Sequence, residues 1–286
     1  GAPQHVVDFG TVEGELPVAE QVPGDALHRL VVIGGAGIQG SHPFQYKRPH
    51  SMRNVDWTGY AVPVTLRLNL AALTEAELLA LYGPAGVQAR FPEISRARLQ
   101  GQPVLNGEVP TDLLLREVPP GEAAGITPQQ SLSLKQVHAA LLEAGAQGHS
   151  TFLIPPETDR AFLRAYVLKE TAISVRWREA PGTPRDAAPS VSVLTWLRDR
   201  ASGVACVLSM DAGQPPGPAY SEEIAVHVHP HTSVPELLRL HRQHVARHGK
   251  PQKLAPEEGW RSIWQALHDL NIKAWLRRGV LVETES

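Results

Sequence analysis

Period-two alternation is clearest between Trp57 and Leu70, where Tyr60, Val62, Val64, Leu66 and Leu68 fall on one side of an extended chain. That spacing predicts a strand. Shorter apolar pairs and triplets, Val6-Val7 and Val31-Val32-Ile33, stand among Gly and Pro and predict short strands and turns upstream of it. Thr74 followed by Glu77 is a capping-box pattern ahead of Leu78, Leu79 and Leu81, and Gly83-Pro84 ends the helix it opens after about two turns. Asn106-Gly107, between Pro103–Leu105 and Glu108-Val109, predicts a two-residue hairpin turn.

The pattern changes after the Gly- and Pro-punctuated stretch from Pro119 to Pro128, which is the expected boundary between two lobes. Ser133 is placed to cap a helix carrying Leu134, Val137, Leu141 and Leu142, stopped by Gly145. Thr151–Ile154 reads as a strand, and Pro156-Glu157 as the start of a helix bearing Phe162, Leu163, Tyr166 and Val167. Four apolar runs, Ala172–Glu179, Val191–Arg198, Val204–Met210 and Glu223–His229, are bounded by turn residues and predict an antiparallel sheet. Two helices follow, Val234–His248 and about Pro256–Arg278, the second with Trp260, Trp264 and Trp275 on its apolar stripe. The fold class expected is α+β: a β-rich N-terminal lobe over residues 1–120 and, over 131–286, a C-terminal lobe whose antiparallel sheet is covered by helices.

At 286 residues the chain has length for two domains or one large one, and its 42% hydrophobic and 20% charged residues are those of an ordinary soluble globular protein. The longest apolar runs are broken before the roughly 18 residues a membrane helix needs. A net charge of -2 disfavours nucleic acid or an anionic membrane surface as a partner drawn by overall charge. The first 28 residues hold five acids (Asp8, Glu13, Glu15, Glu20, Asp25) and no Lys or Arg. The single cysteine, Cys206, has no internal disulfide partner and sits in an apolar run as a small hydrophobe. The opening Gly1-Ala2-Pro3-Gln4 suits either a cloning remnant or a mature form left by signal-peptide removal, so both a cytoplasmic and an exported protein are compatible with it.

Gly35-Ala36-Gly37-Ile38-Gln39-Gly40 matches G-x-G-x-x-G, but Pro43 and Pro49 interrupt the helix that a dinucleotide loop must open, so it is read as a glycine turn. The same segment leads into Lys47, Arg48 and Arg53, a local basic patch suited to phosphate or nucleic-acid contact and equally to a solvated loop. Asp199 and Asp211 flank a turn and are assigned turn chemistry.

Histidine carries the sharper lead. Seven of the thirteen lie between Glu223 and Asp269. On the strand, His227 and His229 share the face opposite Ile224, Val226 and Val228. On the helix, His241, His244 and His248 fall within the stripe of Val234, Leu237, Leu238 and Val245. Convergent neutral imidazoles suit a divalent transition metal such as zinc. They can converge only if the helix packs on the His227/His229 face. The pair His149-Ser150-Thr151 and His231-Thr232-Ser233 resembles the paired H-x-[ST] motifs of two-histidine phosphoesterases, where imidazoles serve as acid and base and hydroxyls hold phosphate. The resemblance covers six residues, and Pro230 and Pro235 set the second copy in a turn.

With no nucleophile, acid pair or phosphate loop in a supporting context, the favoured expectation is a binding or assembly protein, an unidentified protein being one partner it would take. The alternatives are a metal- or histidine-dependent hydrolase using His227–His248, and a nucleic-acid or phosphate contact through Gly35–Arg53.

Overall fold

The computed structural model describes residues 64–119, 121–123, 125, 127–156, 160–179, 188–199, 202–212, 217–254 and 259–285. The glycine turn, Lys47, Arg48, Arg53 and the upstream part of the Trp57–Leu70 strand lie outside them.

Alternation in Val64–Asn69 (β1) buries Leu66 and Leu68 on one face, as the period-two pattern requires. A single 3-10 turn at Leu70–Ala72 leads into helix α1, Glu75–Gln100. The capping box is made in full: the Thr74 hydroxyl accepts from the Glu77 amide and the Glu77 carboxylate accepts from the Thr74 amide. The helix does break at Gly83 (φ 66°, ψ 174°), but a second helical segment starts at once on Pro84, whose fixed φ suits a first helical position. The expected stop is therefore a kink.

Asn106-Gly107 does not turn the chain. Both lie inside β2, Leu105–Glu108, where Gly107 (φ 45°) is the extra residue of a bulge: Arg67 faces Glu108 while Leu68 faces Asn106. The Asn106 amide donates to the Tyr82 hydroxyl at 2.8 Å, which ties the bulge to α1. After Arg116–Val118 (β3), helix α2 spans Pro128–Glu143 and is capped by Thr127, with Pro128 in its first turn, rather than by Ser133.

The segment read as a helix from Pro156 is a strand. Gln147–Ile154 (β4) and Ala161–Leu168 (β5) are antiparallel neighbours, and β5 is apolar on both faces because helices cover both sides of its sheet. A run buried all round loses the alternation that marks a strand, and its Phe162/Tyr166 spacing imitates a helix. Thr171–Arg178 (β6), Ser190–Trp196 (β7), Cys206–Met210 (β8) and Ile224–Val228 (β9) complete a seven-stranded sheet in the order β3-β4-β5-β6-β7-β8-β9. All its pairings are antiparallel except the last, where β9 runs parallel to β8.

Helix α3, Val234–His248, packs with α2 on one face of this sheet, over Phe162, Tyr166, Ile173, Val191 and Val193. Helix α4, Gly259–Arg277, covers the other face through Trp260, Ile263, Trp264 and Leu267 against Leu163, Ala172, Leu194, Cys206 and Leu208. The Trp260 indole donates to the Ile173 carbonyl at 2.9 Å; Trp260 and Trp264 are core, and Trp275 is half-buried. The final strand, Leu281–Glu285 (β10), returns to pair antiparallel with β1 in a three-stranded sheet, β10-β1-β2. The architecture is α+β, and no described helix is long and apolar enough to cross a membrane.

Candidate functional site

Helix α3 decides the local chemistry because it lies over the β9 face that carries Ala225, His227 and His229. Val245 meets Val207 and Ala225 in a small apolar cluster, which fixes that choice of face. Ile224 and Val226 point the other way, into the α4 core. The geometric condition for convergence is met.

Four imidazoles come together. The His227 and His244 rings stack at 3.6 Å between centroids with 5° between their planes. His229 and His244 approach with their Nε2 atoms 3.1 Å apart. The His248 ring, one turn beyond His244, lies 6.3 Å from that of His227. Two nitrogens of the cluster, His227 Nε2 and His244 Nδ1, are buried with no hydrogen-bond partner. Such atoms are rare in folded proteins and costly to leave unsatisfied. Burial first, then the neighbouring imidazoles and Arg247, hold His244 down to a pKa of about 4 and shift His227 in the same direction.

An ion bound to an imidazole nitrogen lies in the ring plane, and two parallel planes 3.6 Å apart share no such point. As the rings stand, no group of three or more His, Cys, Asp or Glu side chains among the described residues is arranged to hold a metal ion. No carboxylate hydrogen-bonds to the four rings among those residues either; Glu236, the acid on the first turn of α3, holds Arg239 in a two-pronged pair.

His241 stands apart from the other four. It is 1% exposed, and both its ring nitrogens are occupied, by the Thr195 hydroxyl at 2.8 Å and the Ser209 hydroxyl at 2.8 Å. It is a hydrogen-bonded core residue between α3 and strands β7 and β8. His268 is likewise held, through Nε2 to the Pro110 carbonyl at 2.8 Å. The two H-x-[ST] motifs do not meet: His149 is on the second strand of the sheet and His231 follows the seventh, about 24 Å away at roughly 4.8 Å per strand. Ser150 follows a helix and sits within a strand, so it has no elbow geometry. Cys206 is buried on the α4 side, away from the imidazoles.

A second feature was not legible in the sequence. On the other flank of α3 a cavity of about 390 Å³ opens between the end of α2, the β5–β6 turn, α3 and the segment after it. Leu168, Leu238 and Val245 line its apolar wall, and Thr195 and His241 its polar floor. Lys169, Arg242 and Lys250 stand around it with one acid, Glu170. None of the three cations makes an ion pair among the described residues. Lys169 holds φ 54° at the tight turn joining β5 to β6, which aims the turn over the cavity. These residues come from distant segments and share no spacing. The only hint, Lys169-Glu170 between two strand-forming runs, is hidden once the first run is read as a helix.

Compared with protein-family models, curated proteins and solved structures, the chain matches none.

Proposed function

We propose that this is a binding protein whose α3 cavity takes a small amphipathic anion. The observation that carries the reading is the pairing of an apolar wall with Lys169, Arg242 and Lys250 at one opening of about 390 Å³. That volume falls in the roughly 300–1,000 Å³ range of small-molecule sites, which are mostly apolar with a few placed polar groups. A carboxylate or phosphate head meets the cations, and an aliphatic or aromatic body lies against Leu168, Leu238 and Val245. The cations are exposed, so they set orientation and selectivity more than affinity. The floor is rigid because His241 is tied to two strands.

A hydrolase centred on the imidazoles lacks support of the same kind. His241 has both nitrogens engaged, and no carboxylate is hydrogen-bonded to the other rings among the described residues.

The test is calorimetric titration of the whole chain with octanoate and with 1-octanol as its neutral counterpart. The expected result is one octanoate per chain, with octanol weaker by about tenfold or more, the gap narrowing in R242Q/K250Q. A246W, a substitution at the exposed mouth, should abolish binding without altering the melting temperature. Equal affinity for acid and alcohol, or octanoate binding that survives A246W, would discard this assignment.

A further inference from the structure

We propose that His229 and His244, with His227 and His248 beside them, form a binding site for one first-row divalent ion of borderline softness, such as zinc, nickel or copper. The site lies on the β9 flank of α3 and rests on observations separate from the cavity.

Backbone placement comes first. His227 lies in β9 and His229 just past its last residue, where its amide still donates to the Met210 carbonyl at 2.7 Å, so the two stand on one face, and His244 and His248 are four apart on a helix and share one side. The two elements pack with those sides together, which brings four imidazoles from two rigid supports into contact. Distance comes next. The 3.1 Å between His229 Nε2 and His244 Nε2 is the span of two imidazoles on one ion at about 2.0–2.1 Å each, with an angle near 95–100°. In the metal-free protein that gap is bridged by one proton, because one ring donates N–H to the lone pair of the other.

The third observation is His227 Nε2, which is buried and has no partner. A nitrogen donor closed off from water and unmatched by any hydrogen bond gains a partner when the ring turns out of its stack toward the ion. His248 Nδ1 or Nε2 supplies a fourth position from the next turn. The donor set selects the ion: with imidazoles alone and no carboxylate or thiolate, magnesium and calcium are excluded and the imidazole-seeking first-row metals remain. Arg247, whose charge reaches His227 and His244, adds repulsion that only strong metal–nitrogen bonds overcome.

The experiment uses the full chain, stripped with chelator and titrated with zinc and with nickel at pH 7.5. Wild type should take up one ion per chain and rise in melting temperature. H229A, at a half-buried position just past the end of β9, should weaken affinity by about tenfold or more, and H227A and H248A should weaken it by smaller factors. H229A keeps the test decisive should H244A fail to fold. Cobalt should give the visible absorption of a nitrogen-ligated site without a thiolate charge-transfer band. Absence of saturable uptake by wild type overturns the proposal. So does uptake unchanged in H229A, which would place the ion elsewhere on the chain.

Discussion

His241 illustrates how one side chain can be read two ways until its partners are known. Its spacing puts it in the apolar stripe of α3 with His244 and His248, yet its ring is held by Thr195 and Ser209 and theirs are not. A buried imidazole bonded to two hydroxyls is a structural joint between a helix and two strands. Truncating it leaves a cavity and strands the buried Ser209 hydroxyl, while Thr195 keeps only its bond to the Thr171 hydroxyl at 2.8 Å. H241A is therefore expected to cost about 2–4 kcal/mol in denaturant unfolding. H241F, which fills the space but still strands the Ser209 hydroxyl, should recover only part of that loss. A variant as stable as wild type would show that the two hydroxyl bonds contribute nothing net.

At the scale of elements, local chemistry was readable wherever it resides in adjacent residues. The Thr74/Glu77 capping box was legible because a hydroxyl and a carboxylate three residues apart satisfy helix amides that nothing else can reach. Its second role was not legible: the Glu77 carboxylate also accepts from the Ala219 amide at 2.7 Å and from Arg278 at 2.7 and 2.8 Å. T74A should cost about 1 kcal/mol, the ordinary value of a helix cap. E77A should cost more, about 2–4 kcal/mol, since it strands Arg278 and the Ala219 amide as well. Equal losses, measured by chemical denaturation, would mean that the long-range bonds are idle. The same distinction explains the misread elements. α3 kept clear periodicity because it has one wet side, whereas β5 is covered by helices on both faces and lost it. Asn106-Gly107 was read as a hairpin turn, but whether a glycine at positive φ reverses the chain or bulges it depends on the partner strand, and β1 lies far off in sequence. The histidine set was legible as two faces. Which face α3 covers was not, because that is settled by Val245 of the helix meeting Val207 of the sheet.

For the whole molecule, proton linkage ties these parts to one measurable curve. Burial holds His241 to a pKa of about 3 against an ordinary 6.5, and His244 to about 4. A base whose folded pKa is depressed is protonated first in the unfolded chain, so stability is complete above pH 6.5 and is lost as pH falls toward the folded value. Asp211 works in the opposite sense. Its carboxylate accepts from the Val191 amide at 2.7 Å where β8 leaves the sheet, and burial raises its pKa from 3.8 to about 6. An acid with a raised folded pKa binds its proton more readily in the native state, so its contribution is present below pH 3.8 and lost as pH rises through 6. Between pH 4 and 6 the histidines and Asp211 therefore oppose each other, and the wild-type stability curve should be shallower there than the histidines alone would make it. D211N keeps an oxygen for the Val191 amide and removes the opposing titration. Its unfolding free energy should rise with pH more steeply than that of wild type between pH 4 and 6, by at most about 1.4 kcal/mol per unit and less after solvent screening. H241F should shift the slope the other way over the same interval. Unfolding measured at half-unit steps of pH separates the two, and parallel curves for wild type and D211N would show that Asp211 titrates alike in the folded and unfolded chain.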